Sequence, residues 1–133
     1  MNTEAPIGIV GLGLMGSSIA TSLILYGQKV VALSPVNSKI DSEAADRISK
    51  SIDECKREGL TEKGSDELLK NIHFTSNYSD LRACWLVMEC VIEDLNIKKE
   101  VYSKIENNVD DTVIITSNTS AIPVSYTHLT LPT

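Results

Sequence analysis

Ile7 to Val10 is a short apolar run that leads straight into Gly11-Leu12-Gly13-Leu14-Met15-Gly16, after which Ile19, Ala20, Leu23 and Ile24 recur at helical spacing. A buried strand that breaks into a glycine-rich turn and then opens a helix restricts the fold more than any other stretch of the chain. Five of the seven glycines (Gly8, Gly11, Gly13, Gly16, Gly27) fall within the first 27 residues, so backbone freedom is concentrated there. Gly27 is placed to close the helix. Lys29 to Leu33 is a second, nearly continuous apolar strand of the kind covered on both faces in a parallel sheet. The opening therefore reads as a βαβ unit.

From Lys39 onward, Ile40, Ala44, Ile48, Ile52 and Cys55 form a stripe with polar residues between them, which predicts a helix with one buried face, ended by Gly59. Thr61 is the expected N-cap of a shorter helix carrying Leu68 and Leu69. Ile72 to Thr75, Trp85 to Met88 and Thr112 to Thr116 are the remaining strands, and Asp94 is placed to cap a helix with Ile97, Val101, Tyr102 and Ile105 on its apolar side. The order is β, α, β, helical hairpin, β, β, α, β. It predicts an α/β fold, a Rossmann-like doubly wound parallel sheet with a helical hairpin inserted between strands 2 and 3.

Charge and cysteine content exclude several classes of function. The 133 residues, enough for one domain, carry 12 Lys plus Arg against 18 Asp plus Glu, a net charge of −6 that opposes binding to nucleic acid or an anionic membrane. Cys55, Cys84 and Cys90 are odd in number and lack a CxxC pair, so they read as reduced thiols of a cytoplasmic protein, without zinc or a disulfide framework. No apolar run approaches the length of a membrane helix, and the N-terminus lacks the basic residues of a targeting peptide.

The glycine motif carries the first chemistry. Gly11 permits a tight turn, Gly13 lets backbone approach a diphosphate, Gly16 allows helix and strand to pack closely, and the helix start attracts the anion. Leu12, Leu14 and Met15 complete this cofactor-binding loop. Ser34 stands at the end of the second strand, where a carboxylate usually holds the ribose 2′-hydroxyl; it offers a hydrogen bond without charge. No arginine follows nearby to welcome a 2′-phosphate, so NAD is favoured over NADP. Two further constellations sit where chain leaves a strand: Met88 to Lys99, which contains Glu89, Glu93, Asp94 and Lys98, and Ser117-Asn118-Thr119-Ser120. His73, between Ile72 and Phe74, reads as a half-exposed sheet residue.

In these motifs the chain resembles the NAD-binding domain of the 3-hydroxyacyl-CoA dehydrogenase family. Gly-Leu-Gly-Leu-Met-Gly at 11 to 16, Glu-Cys-Val-Ile-Glu-Asp-Leu at 89 to 95 and Ser-Asn-Thr-Ser at 117 to 120 match in order and spacing, as does the hairpin, over residues 5 to 123. The resemblance implies that Glu93 and Lys98 lie along the nicotinamide side of NAD. It implies that Ser120 contacts both nicotinamide and the reacting 3-oxygen, as the catalytic residue present in this chain. Ser51 and the Lys56-Arg57 pair become candidates for holding the coenzyme A of an acyl-CoA substrate, with one residue inserted before that pair. Also implied are hydride transfer with a short-chain substrate such as 3-hydroxybutyryl-CoA in fatty-acid metabolism, and a homodimeric full-length enzyme.

The family's catalytic His, and the Glu that orients it, lie beyond the Ser-Asn-Thr-Ser motif, so residues 1–123 are expected to bind NAD without turning substrate over. The last ten residues, Val124 to Thr133, carry no charge and no periodicity and correspond codon by codon to a transposon-end sequencing adapter, so 124–133 is expected to be a non-native tail. Three other readings stay open: another 3-hydroxy-acid dehydrogenase, a non-catalytic NAD-binding module, and a piece of a multifunctional β-oxidation chain.

Overall fold

The computed structural model describes residues 4–35, 42–91 and 94–117. The sheet order is β3-β2-β1-β4-β5, with all pairings parallel. Its strands are β1 (Ile7–Val10), β2 (Val30–Leu33), β3 (Ile72–Thr75), β4 (Leu86–Glu89) and β5 (Ile114–Ser117). β1 lies at the centre, and all of its residues are buried, as are those of β2. The sequence order and the spatial order part company between β1 and β4, where the chain turns from building one half of the sheet to building the other. In parallel sheets a ligand crevice opens at such a point, beyond the carboxyl ends of the strands.

Two apolar layers explain the winding. On one face, α1 (Leu14–Leu25) and α2 (Ala44–Arg57) share a core made of Ile9, Leu12, Ala20, Ile24, Ala44, Ile48 and Ile52 with strand residues of β2 and β3. On the other face, Leu81 from a 3₁₀ segment (Tyr78–Ala83) packs with Val101, Tyr102 and Ile105 of α4 (Leu95–Asn108) against Val31, Val87 and Ile115. Each fully buried Ile contributes about 1.5–3 kcal/mol relative to leaving it in water. Helices therefore cover both faces, as the doubly wound reading requires.

Most of the expected elements form where the pattern places them. Gly27 closes α1, with the Gln28 amide donating back to the Leu23 carbonyl at 3.0 Å. Asp94 caps α4, its carboxylate accepting from the Ile97 amide at 3.0 Å. Thr61 is not a cap, however. Its hydroxyl oxygen accepts from the Lys63 amide in a local turn, and the next helix, α3, covers only Ser65–Leu68 before a 3₁₀ turn over Leu69–Asn71. The start of α3 is held from outside: the Asp53 carboxylate, on α2, accepts from both the amide and the hydroxyl of Ser65 at 3.2 Å. β5 begins two residues later than expected, because the Asp110 side chain accepts from the Thr112 amide and folds that residue into the preceding turn. β4 runs one residue later than expected, and β2 starts at Val30.

Candidate dinucleotide site

The carboxyl ends of the strands are stitched into one edge. Gly11 N–H donates to the Leu33 carbonyl (2.9 Å), Cys90 N–H to the Val10 carbonyl (2.7 Å) and Ser34 N–H to the Thr75 carbonyl (2.9 Å), so the loops after β1, β2, β3 and β4 stand side by side. Gly11 takes φ +101°, a backbone conformation that side chains avoid, and a Cβ there would lie 2.8 Å from the carbonyl of Cys90. A Cβ on Gly16 would collide with the Gly11 carbonyl oxygen. The two glycines thus let the first turn of α1 close against the ends of β1 and β4.

Among the described residues this leaves the start of α1 bare. Gly13 is its N-cap, no side chain caps it, and no acidic residue lies in its first turn. The amides of a first turn have no acceptor within their own helix, and with the helix dipole they form a place for an anion. Leu14 and Met15 are 76% and 59% exposed, an apolar surface at the mouth of a polar one. Beside it, an open cleft of about 700 Å³ is lined by Leu12, Ser34, Pro35, Ser42, Phe74 and Thr75 among others. That volume lies within the usual range for small-molecule and cofactor sites. Ser34 thus stands on the wall of the cleft, as its strand-end position predicts.

An arginine that the sequence reading passed over reaches into this loop. Arg47, on the first half of α2, donates to the Leu12 carbonyl and to the Ser17 hydroxyl oxygen at 3.2 Å, while the Ser17 hydroxyl itself donates to the Leu12 carbonyl at 3.0 Å. In the sequence it sits on the polar face of an amphipathic helix, 35 residues from Leu12, and no local pattern marks it. Ser51 follows one turn later and is half-buried, whereas Lys56 and Arg57 are exposed at the helix end. Ten residues of α-helix place Arg57 about 15 Å along the axis from Arg47, so the structure does not bring Arg57 to the glycine loop.

The far side of the edge is built differently. Lys98 is fully buried, and its ammonium is 2.8 Å from the Glu89 carboxylate, also fully buried. It donates further to the Val91 carbonyl at 3.1 Å. The other oxygen of Glu89 accepts from the Ser117 hydroxyl at 2.8 Å, and the Val91 amide donates to the carboxylate at 2.6 Å. Lys98 is therefore not a surface group along this edge; it is consumed by a clamp that joins β4, β5 and α4. A charge pair removed from water needs further hydrogen bonds to be held, and here the Val91 carbonyl and amide and the Ser117 hydroxyl supply them. Glu89 and Ser117 are the last residues of β4 and β5; the sequence marks both within its strand-end constellations, but not their pairing with each other. Glu93 and Ser120 lie outside the described residues, as do 36–41, which include Lys39 and Ile40, and the stretch 124–133.

His73 is on β3 and exposed, with Nε2 3.3 Å from the Asp80 carboxylate. That carboxylate also accepts from the Thr75 hydroxyl at 2.6 Å, and this bond first, the His73 contact second, holds its pKa below the usual aspartate value. Burial pushes the Cys84 thiol up to about 12, so it is inert at neutral pH. No disulfide joins the cysteines. Among the described residues no cluster of side chains could hold a metal ion, and no helix is long and apolar enough to cross a membrane.

The NAD binding domain of 3-hydroxyacyl-CoA dehydrogenase, as a family model, matches residues 6–130. The chain belongs to this family. A 3-hydroxybutyryl-CoA dehydrogenase of Mycobacterium tuberculosis is 35% identical over 120 residues, which are 89% of this chain and 42% of that protein. A glyoxysomal fatty acid β-oxidation multifunctional protein of Cucumis sativus is 32% identical over 87% of this chain and 16% of its own length. The crystal structure of (S)-3-hydroxybutyryl-CoA dehydrogenase PaaH1 from Ralstonia eutropha superposes with a TM-score of 0.85 at 29% identity, covering 96% of this chain and 45% of that one. The chain thus spans less than half the length of the dehydrogenases it matches, and what it spans is the family's NAD binding domain.

Proposed function

We propose that the glycine loop and the adjoining cleft hold NAD for the oxidation of a short-chain 3-hydroxyacyl-CoA, such as 3-hydroxybutyryl-CoA, at its C3 hydroxyl. The observation that carries this reading is the start of α1, with neither a capping side chain nor an acidic residue in its first turn. On this reading Gly11, Gly13 and Gly16 let the backbone approach the diphosphate, Leu12 anchors the loop in the core and lines the cleft, Leu14 and Met15 cover the diphosphate, and Ser34 faces the ribose. NAD, when bound, supplies the nicotinamide carbon that accepts a hydride from C3 of the substrate.

This chain's own residues bind and orient. Glu93 and Ser120 are the proposed contacts on the nicotinamide side, with Ser120 also at the substrate's 3-oxygen. Lys98 acts there through the clamp with Glu89, which fixes the path of the chain into α4. Ser51 and Arg57 are the proposed coenzyme A contacts. The base that takes the hydroxyl proton is proposed to lie outside residues 1–123. His73 faces Asp80 instead. We further propose that residues 1–123 form the NAD-binding domain, that 124–133 is foreign to it, and that the full-length enzyme is a homodimer.

Calorimetric titration with NADH tests the reading directly. Measurable binding by the chain, abolished in Gly13→Val because a branched side chain fills the approach of the diphosphate, is the expected result. Binding indifferent to Gly13→Val would overturn it. For the full-length gene product, turnover of 3-hydroxybutyryl-CoA is expected, and turnover of 2-methyl-3-hydroxy acids with no activity on CoA thioesters would redirect the substrate assignment.

A further inference from the structure

The triangle of Arg47, Ser17 and Leu12 joins the hairpin to the glycine loop, and nothing in the fold alone demands it. Ser17 can satisfy the Leu12 carbonyl by itself, at 3.0 Å. Arg47 adds a second donor to the same oxygen, yet among the described residues its buried Nε has no hydrogen-bond partner. A buried donor left unpaired is costly, and a guanidinium that tolerates one is a poor stabilising device. It is a good partner for an anion, because its charge and its planar fork of donors match phosphate oxygens.

Peptide geometry adds a second consequence. The described peptide bonds are all trans, so within one peptide plane the carbonyl and the N–H point in opposite directions. Donors from α2 and from Ser17 that draw the Leu12 carbonyl towards themselves therefore turn the Gly13 N–H away from the hairpin. Arg47 thus fixes the orientation of the peptide that leads into the bare start of α1. It also places a positive charge against that loop in a chain whose net charge is −6.

We infer that Arg47 is a positioning residue for the diphosphate of the dinucleotide: it orients the Leu12–Gly13 peptide and supplies the fixed cation beside the loop. The inference rests on the proposed NAD reading. The test is calorimetric titration of the full chain with NADH and, separately, with adenosine, which shares the cleft but has no phosphate. Arg47→Met is expected to weaken NADH about tenfold or more and to leave adenosine within about twofold of the wild type. A smaller loss, about threefold and again confined to NADH, is expected for Arg47→Lys, which keeps the charge and loses the fork; that variant decides the matter if Arg47→Met does not fold. Wild-type affinity for NADH in the variant, or equal losses for NADH and adenosine, would overturn the role. Should the wild-type chain itself take no NADH, the NAD reading fails together with this inference; binding by the wild type that is insensitive to Arg47 defeats the inference alone.

Discussion

The two halves of the sheet's carboxyl edge solve the same problem in opposite ways. After β1 the backbone amides at the start of α1 are left without side-chain caps. After β4 and β5, by contrast, the polar groups of Glu89, Lys98, Ser117 and Val91 satisfy one another. One half keeps hydrogen-bonding capacity for a visitor, whereas the other spends it on closure. The contrast teaches that the charge of a residue says little about whether the fold leaves it open or encloses it. Lys98 carries the more conspicuous charge in the sequence and is enclosed, while the less conspicuous Arg47 reaches the open loop.

Gly16→Val should break the open half most severely. Its Cβ would overlap the Gly11 carbonyl oxygen, which is backbone and cannot swing aside, so we expect a loss of about 4 kcal/mol or more in chemical denaturation, with NADH binding gone. Next in size is Lys98→Met in the closed half. It leaves a buried carboxylate without its cation, at a cost of about 3–5 kcal/mol. The double variant Glu89→Gln with Lys98→Met should recover more than half of that loss; failure to recover would mean that the clamp is not the unit described.

Asp94→Ala, which removes the cap of α4, should cost about 1 kcal/mol by the same measurement. The smallest effect is expected at Thr75→Val. The folded-state pKa of Asp80 is depressed, first by the Thr75 hydroxyl and then by His73. Its contribution to stability is therefore present above the ordinary aspartate pKa and lost as pH falls through the depressed value. Removing the hydroxyl should move the Asp80 titration upwards, as read by NMR, and flatten the acid limb of the stability curve. An unshifted titration would show that the hydroxyl is not what holds the carboxylate.

Where chemistry is local, it could be read from the chain. The strand, glycine turn and helix of 7–25 follow from neighbours in sequence, and so does the Asp94 cap, three residues from the amide it satisfies. Thr61 shows the limit of such reading, because the same residue type serves equally well as a cap or in a turn, and Asp53, 12 residues before Ser65, had already taken the capping role. The Arg47 contacts span 30 and 35 residues, and the Ser117 contact with Glu89 spans 28. They arise only once the sheet has brought distant loops together. Periodicity therefore locates the faces of helices, but not which polar side chain at the margin of a face will turn inward.

The first helix has a consequence for how the chain must be made. α1 reads Leu-Met-Gly-Ser-Ser-Ile-Ala-Thr-Ser-Leu-Ile-Leu, with no charged residue, and its buried side shares one apolar layer with α2. As the polypeptide leaves the ribosome, α1 emerges well before residue 57, the end of the helix that shares its layer. Until then the apolar side of α1 has no partner on α2 to bury it. The hairpin is thus less an ornament on a nucleotide-binding core than one wall of it: Ala44, Ile48 and Ile52 close the same layer that Ala20 and Ile24 open.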